Sequence, residues 1–224
     1  MKTRLYLAGA LFIFDSVTFW LSWYLMPDPG ATEAAHILTL VKLSRKAVLW
    51  SVAIQVLSAV SYLFALFFTL QGIGSSHKLR LPGIALAGVG AMGLCSDAFF
   101  HLLAWCMTSK QVHIQSDVVQ VMHLMQTRGL LFLVPLFLLF FIGSLVLAVS
   151  LHRSGLVSKK PYRLFSLVLL AGPAATVLAG KIGVQGPWPA LLTLGLFATA
   201  LGRMGYELIR SAGKACSQQK WTVA

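Results

Sequence analysis

The chain is 224 residues long, 58% hydrophobic and only 11% charged, and it carries a net charge of +12. A soluble globular domain holds roughly a quarter charged residues, so this composition, with a mean hydropathy of +0.80, excludes an ordinary water-facing fold. The surplus Lys and Arg gather in short segments between apolar runs, as membrane topology requires; that points to a bilayer with anionic lipids as their partner, and to no nucleic acid.

The spans follow in chain order, each needing about 20 apolar residues. Residues 5–26, LYLAGALFIFDSVTFWLSWYLM, form the first. Lys2 and Arg4 ahead of it mimic a signal peptide, but its length, its Asp15 and the lack of a small-residue cleavage site make it a retained helix. After PDPG, residues 32–45 read as an interfacial helix, with Ile37, Leu40, Val41 and Leu43 toward lipid and Lys42, Arg45 and Lys46 at headgroup level. Residues 47–70, 81–107 and 129–151 are the next three spans, the last preceded by an outward helical extension from about Ser116. Residues 165–179 and 188–203 are a shorter fifth and sixth, and residues 210–224 form a basic cytoplasmic tail. The expectation is an all-α, polytopic integral membrane protein: one domain, residues 1–224, built as a bundle of six transmembrane helices with short loops.

Orientation comes from the Lys and Arg count. With the N-terminus inside, eleven lie in inner segments and five in outer ones, which places both termini in the cytoplasm of a plasma (inner) membrane of bacterial type. The three cations of LVKLSRK are the exception. Cys95, Cys106 and Cys216 are odd in number and widely spaced, which argues against a disulfide scaffold.

Lipid offers no hydrophobic drive for helix association, so small residues mark the contacts. Gly83, Ala87, Gly90 and Ala91 supply them in the third span, Ala171 and Ala175 in the fifth, and Gly202 in the sixth. Pro135 and Pro173 are expected to bend their helices.

Two carboxyls fall inside spans, where an ionised group costs about 2.5–3.5 kcal/mol on insertion scales. Asp15 lies midway along the first span and Asp97 in the outer half of the third, one turn from His101. The simplest arrangement is an intramembrane polar network of Asp15, Asp97, His101 and Arg128, with His101 or Arg128 serving Asp97, and Ser16, Thr18 or a basic group serving Asp15. A sharper one is a metal site. Asp97 and His101 share a helix face, His113 and Asp117 repeat the spacing in the outer loop, and Met107, Met122, His123 and Met125 lie nearby. Asp97, His101, His113 and His123 would then be ligands to copper, with zinc or iron as alternatives. The pattern Asp97-x3-His101 with His113 twelve residues on resembles the Asp and two His that bind copper in a transmembrane subunit of particulate methane and ammonia monooxygenases. The resemblance spans residues 97–113 and implies those three as copper ligands. Haem held between His101 and His123 is a further alternative; the default is no cofactor.

The chain contains no GxxxxGK[ST], GxSxG, HExxH or CxxC, so soluble-type catalysis is not expected. The leading expectation is a non-catalytic accessory or scaffolding subunit associated with other membrane subunits. A metal- or haem-bearing redox subunit is the alternative, and a small transporter with an Asp/His proton path the third.

Overall fold

In lipid, a backbone without water must satisfy its own hydrogen bonds, which leaves helices or closed barrels. This chain takes the helical solution. The computed structural model describes residues 2–27, 33–73, 78–112, 116–181 and 187–220, and no strand occurs among them. The elements are α1 (Lys2–Leu25), α2 (Ala34–Leu43), α3 (Arg45–Gly72), α4 (Arg80–Met107), α5 (Ser116–Leu124), α6 (Leu130–Arg153), α7 (Lys159–Lys181) and α8 (Trp188–Lys220). A π-helical turn, Met125–Gly129, joins α5 to α6 without a break, so that Ser116–Arg153 is one rod of 38 residues.

Among the described residues, four helices are long and apolar enough to cross a membrane: α1, α3, α4 and the α5–α6 rod. The expected fifth and sixth spans fall on α7 and α8. Thr193, Gly195, Thr199, Gly202 and Arg203 dilute the apolar character of α8, and the side chains of α7 are described only in its first two-thirds. Residues 210–220, read as a tail from sequence, continue α8.

The long helices form a closed ring in the order α1, α3, α4, α6, α7, α8, with α8 returning to α1. Aromatic rings fill its centre. Phe140 of α6 and Phe197 of α8 lie 5.1 Å apart, and Phe19 of α1, Tyr62 of α3 and Phe165 of α7 each stack on one or both at 4.9–6.0 Å. Ring pairs at these distances favour edge or offset packing. The sixth helix, α4, gives this centre no ring. Its inward face is Gly83, Ala87, Gly90 and Ala91, all buried, and α6 approaches it to backbone distance. A Cβ added at Gly90 would lie 2.1 Å from the Phe140 backbone nitrogen, and one at Gly143 would lie 2.2 Å from that of Ala87. Gly9 and Gly205 do the same for α1 and α8, each placed so that an added Cβ would sit 2.5 Å from the other's carbonyl oxygen.

Gly202 sits against Ser16 of α1 at the same α1–α8 contact. Ala171, expected at a helix contact, is exposed instead; one residue on, Gly172 is the small residue of α7 that meets α8, at Thr193. The side chain of Ala175 lies outside the described residues. The turn after α6 shows why a glycine stands there. Gly155 has φ 73°, its N–H reaches His152 and the Leu156 N–H reaches Leu151. Those two bonds close a left-handed helix end that a side chain disfavours.

A second, smaller core covers the end of the ring where α1 turns back into α3, opposite the start of α1. Leu38 and Val41 of α2 meet Met122 of α5, Ala98 and Ala104 of α4, and Val48 and Val52 of α3. α2 is therefore a helix at the expected place with a corrected orientation. Val41 packs inward, because α4 and α5 offer it protein rather than lipid, while Leu43 is exposed. Of the three cations of LVKLSRK, Arg45 has a clear structural role. Arg45 Nη1 donates to the Trp105 carbonyl at 2.9 Å and to Thr108 Oγ1 at 2.8 Å, and its guanidinium lies 4.2 Å over the Trp105 ring. It closes the C-terminal end of α4, where carbonyls lack partners and a positive charge is favoured.

Candidate functional site

α3 carries the polar residues that build the site. Ser51, Gln55, Ser58, Tyr62 and Thr69, with Ala65 between the last two, alternate in steps of four and three, and all are buried. That spacing keeps them on one seam of the helix.

Each member reaches a neighbouring helix or its own backbone. Ser51 donates to the Ser22 carbonyl of α1 at 2.6 Å. Gln55 Nε2 donates to Asp97 Oδ2 of α4 at 2.7 Å. Ser58 Oγ donates to Asp15 Oδ1 of α1 at 2.5 Å. Tyr62 and Ser144 of α6 lie 2.6 Å apart, and because Ser144 gives its proton to the Phe140 carbonyl at 2.7 Å, the phenol is the donor. Thr69 bonds back to the Ala65 carbonyl. Both intramembrane carboxyls are thus held by neutral donors from α3, and no Lys or Arg pairs with either among the described residues.

This differs from the sequence expectation in its partners. Asp15 is served by neither Ser16, which bonds the Ala198 carbonyl of α8, nor Thr18, which bonds carbonyls of its own helix. Arg128 stands exposed in the π-helical turn and makes no contact with Asp97, since the α5–α6 rod presents that face outward. His101 does lie beside Asp97, but at 3.9 Å from Nε2 to Oδ2, too long for a hydrogen bond. Its ring instead meets Trp23 of α1 edge-on, with centroids 6.3 Å apart. Trp23 also borders an apolar cavity of about 370 Å³ shared with Phe137 and Phe141 of α6, Val168 and Gly172 of α7 and Thr193 of α8.

Three buried polar atoms around this seam lack a hydrogen-bond partner: Asp15 Oδ2, Trp23 Nε1 and His101 Nδ1. Two belong to α1 and the third to the histidine packed against it.

The metal constellation is only partly described. His113 lies outside the described residues, and His123 is exposed on α5. No group of three or more His, Cys, Asp or Glu able to hold an ion converges among the described residues. Asp97 and His101 alone fall short of the three or four protein ligands a zinc or copper centre takes.

A second polar contact lies at the opposite end of the bundle, where α6 turns into α7. Glu207 of α8 pairs with Arg203 at 2.7 Å and accepts the backbone N–H and the hydroxyl of Ser158 just ahead of α7. Its position at a helix N-terminus suits an anion. Burial works to raise the Glu207 carboxyl, but the Ser158 donors and the Arg203 guanidinium outweigh it and hold it below the ordinary range.

Gln55, Ser58, Tyr62 and Ser144 were not singled out in the sequence, and Trp23 reads there only as one of several tryptophans near span ends, an aromatic belt. The signal was there for three of them: the four-three alternation of polar residues through an otherwise apolar span. Ser144 and Trp23 leave no such mark. No protein-family model, no curated protein and no solved structure matches the chain.

Proposed function

We propose that the protein is a non-catalytic accessory or scaffolding subunit of a larger membrane assembly. In this reading α7 and α8 are the fifth and sixth spans, both termini face the cytoplasm, and the membrane is of the plasma (inner) type. The observation that carries it is the uneven covering of the ring. In the apolar windows of α1, α3 and α4, 44–50% of residues are buried, against 28% in the α5–α6 rod. Its outer half shows Leu131, Phe132, Val134 and Leu138 bare on one side. The polar seam supports the same reading, because its hydrogen bonds fasten α3 to α1, α4 and α6 rather than surround an open substrate space. A rigid ring with one under-covered helix suits a part that presents a face to another membrane helix through close packing.

The test uses photo-crosslinking residues placed at Phe132 and Val134, and at the exposed Phe64 and Phe67 of α3 as controls, in native membranes. A single protein adduct of fixed mass from the α6 positions, with lipid adducts from the α3 positions, supports the proposal. Lipid adducts alone from every position overturn it.

A further inference from the structure

We propose that the cavity between α6, α7 and α8 is a binding site for one hydrocarbon chain of a membrane lipid. The proposal takes α7 and α8 as membrane spans and owes nothing to the scaffolding role.

The site follows from how α7 is attached. Near its N-terminal end α7 is held to α6 through the turn that joins them. There His152 Nδ1 lies 3.1 Å from the Val157 carbonyl, and its ring is 5.3 Å from that of Tyr162. Further along, Gly172 draws α7 against α8 instead, close enough that an added Cβ would lie 2.7 Å from Thr193 Cγ2. Attachment to α6 at one end and to α8 further on leaves a slot, with Phe137 and Phe141 of α6 on one wall and Val168 and Gly172 of α7 on another. The Trp23 ring of α1, 6.2 Å from that of Phe137, closes a third side. Protein interiors hold few voids larger than a water molecule, and this slot measures about 370 Å³.

Its walls choose the occupant. Of the side chains that line it, only Thr193 and Trp23 carry a polar atom. The Thr193 hydroxyl is spent on the Pro189 carbonyl of its own helix at 3.0 Å, and Trp23 Nε1 is buried away from the surface. A headgroup, a sugar or a quinone ring would leave its oxygens without partners there, the usual cost of burying a polar group, whereas a saturated chain has nothing to satisfy. Apolar cavities also stay dry, and one of about 150 Å³ takes a benzene. A space of about 370 Å³ therefore suits a run of roughly a dozen carbons. A second protein helix, about 10 Å across, would fill that volume in less than one turn. Access is lateral: Leu138 belongs both to the lining and to the exposed surface of α6, at 49% exposure, on a side of the bundle that meets acyl chains. Packing holds the chain, since the lipid outside is as apolar as the walls and the gain comes from close contact with rigid rings on several sides.

The experiment irradiates the full chain in phosphatidylcholine liposomes carrying a trace of the same lipid with a diazirine at mid-chain, and locates the adducts by tandem mass spectrometry. Adducts on the cavity walls, at Phe137, Phe141, Val168 or Gly172, are expected. Ala190, a lining residue of α8, is then changed to Phe to put a ring in the slot. In Ala190→Phe the wall adducts should fall at least about fivefold relative to those on the exposed Leu167 and Leu170 of α7, the low end of what overpacking costs. Should Ala190→Phe fail to fold, the smaller change Ala190→Leu should lower the same ratio. Labelling of Leu167 and Leu170 without any on the walls overturns the proposal, as do wall adducts that neither variant reduces. If Leu167 and Leu170 are themselves unlabelled, α7 is no span, and the proposal falls with that reading.

Discussion

Replacing Gly90 by Ala tests the idea that α4 is small so that α6 can reach it. The new methyl carbon would lie 2.1 Å from the Phe140 nitrogen and 2.3 Å from its Cα, whereas ordinary contact begins at 3.4 Å. Both clashing atoms are backbone, so no side-chain rotation relieves them, and the helices must part by more than an ångström. Parting is opposed at the next turns, where an added Cβ would lie 2.2 Å from Ala87 at Gly143 and 2.8 Å from Leu147 at Gly83. Overpacking of a tight core costs about 1–3 kcal/mol, and the rigidity of both partners places this change at the upper end. Gly88→Ala is the internal control. It adds the same methyl to the same helix, but its nearest neighbours are the flexible ends of Leu66 and Leu63 at 3.9 and 4.0 Å. There the gain in helix propensity, up to about 1 kcal/mol, should leave the protein as stable or more so. Equilibrium unfolding of both variants in mixed micelles measures the difference. Equal stabilities would refute the claim that backbone approach, rather than helix propensity, selects glycine at position 90.

Other outcomes follow from the seam and the helix ends. Ser144→Ala should destabilise more than Tyr62→Phe, since it leaves a buried phenol without an acceptor, by about 1–3 kcal/mol, whereas Tyr62→Phe leaves Ser144 bonded to the Phe140 carbonyl; unfolding of both single variants and of the double gives the coupling. Gln55→Leu should weaken the α3–α4 contact by removing the direct donor to Asp97, seen as a lower unfolding midpoint that the further change Asp97→Asn partly restores. Glu207 has its carboxyl held below the ordinary value of 4.5. Its contribution is thus fully present above 4.5 and is lost as pH falls through the lower folded value; Glu207→Gln should flatten that acid limb of a stability-against-pH series, and an unchanged limb would contradict the assignment. Arg45→Ala should fray the C-terminal end of α4, read as faster amide exchange at Trp105 and Thr108 with the N-terminal half of α4 unchanged.

How far the sequence could be read depended on whether the physics was local. Apolar run length and the Lys and Arg gaps locate the four long apolar helices α1, α3, α4 and α6, because a backbone in lipid has so few alternatives. The placement of Asp97 on the same face as Gly83 and Gly90 was also legible, since helical rotation is arithmetic. Partner identity was not. Asp15 could have met Ser16, Thr18 or a base by proximity in sequence, yet it meets Ser58, which rotation of α3 against α1 decides. Arg128 looked available to Asp97, but the π-helical turn carries it outward. Val41 was assigned to lipid because α5, its cover, arrives some eighty residues later. Ala171 and Gly172 differ by one position and only the tilt of α7 chooses between them. The aromatic centre left no periodic trace at all, because its five rings come from five helices.

The return of α8 to α1 has a consequence for biogenesis. A ring whose opening and closing members are touching neighbours cannot mature from one end to the other as spans enter the bilayer. Phe19 and Gly9 wait, facing lipid or an insertion factor, until Phe197 and Gly205 have been synthesised, almost two hundred residues afterwards. The earlier helices form an unsealed arc during that interval, so the final hairpin acts as a keystone: chains arrested ahead of it should be inserted yet sensitive to membrane proteases, and supplying α7–α8 as a separate polypeptide should protect them.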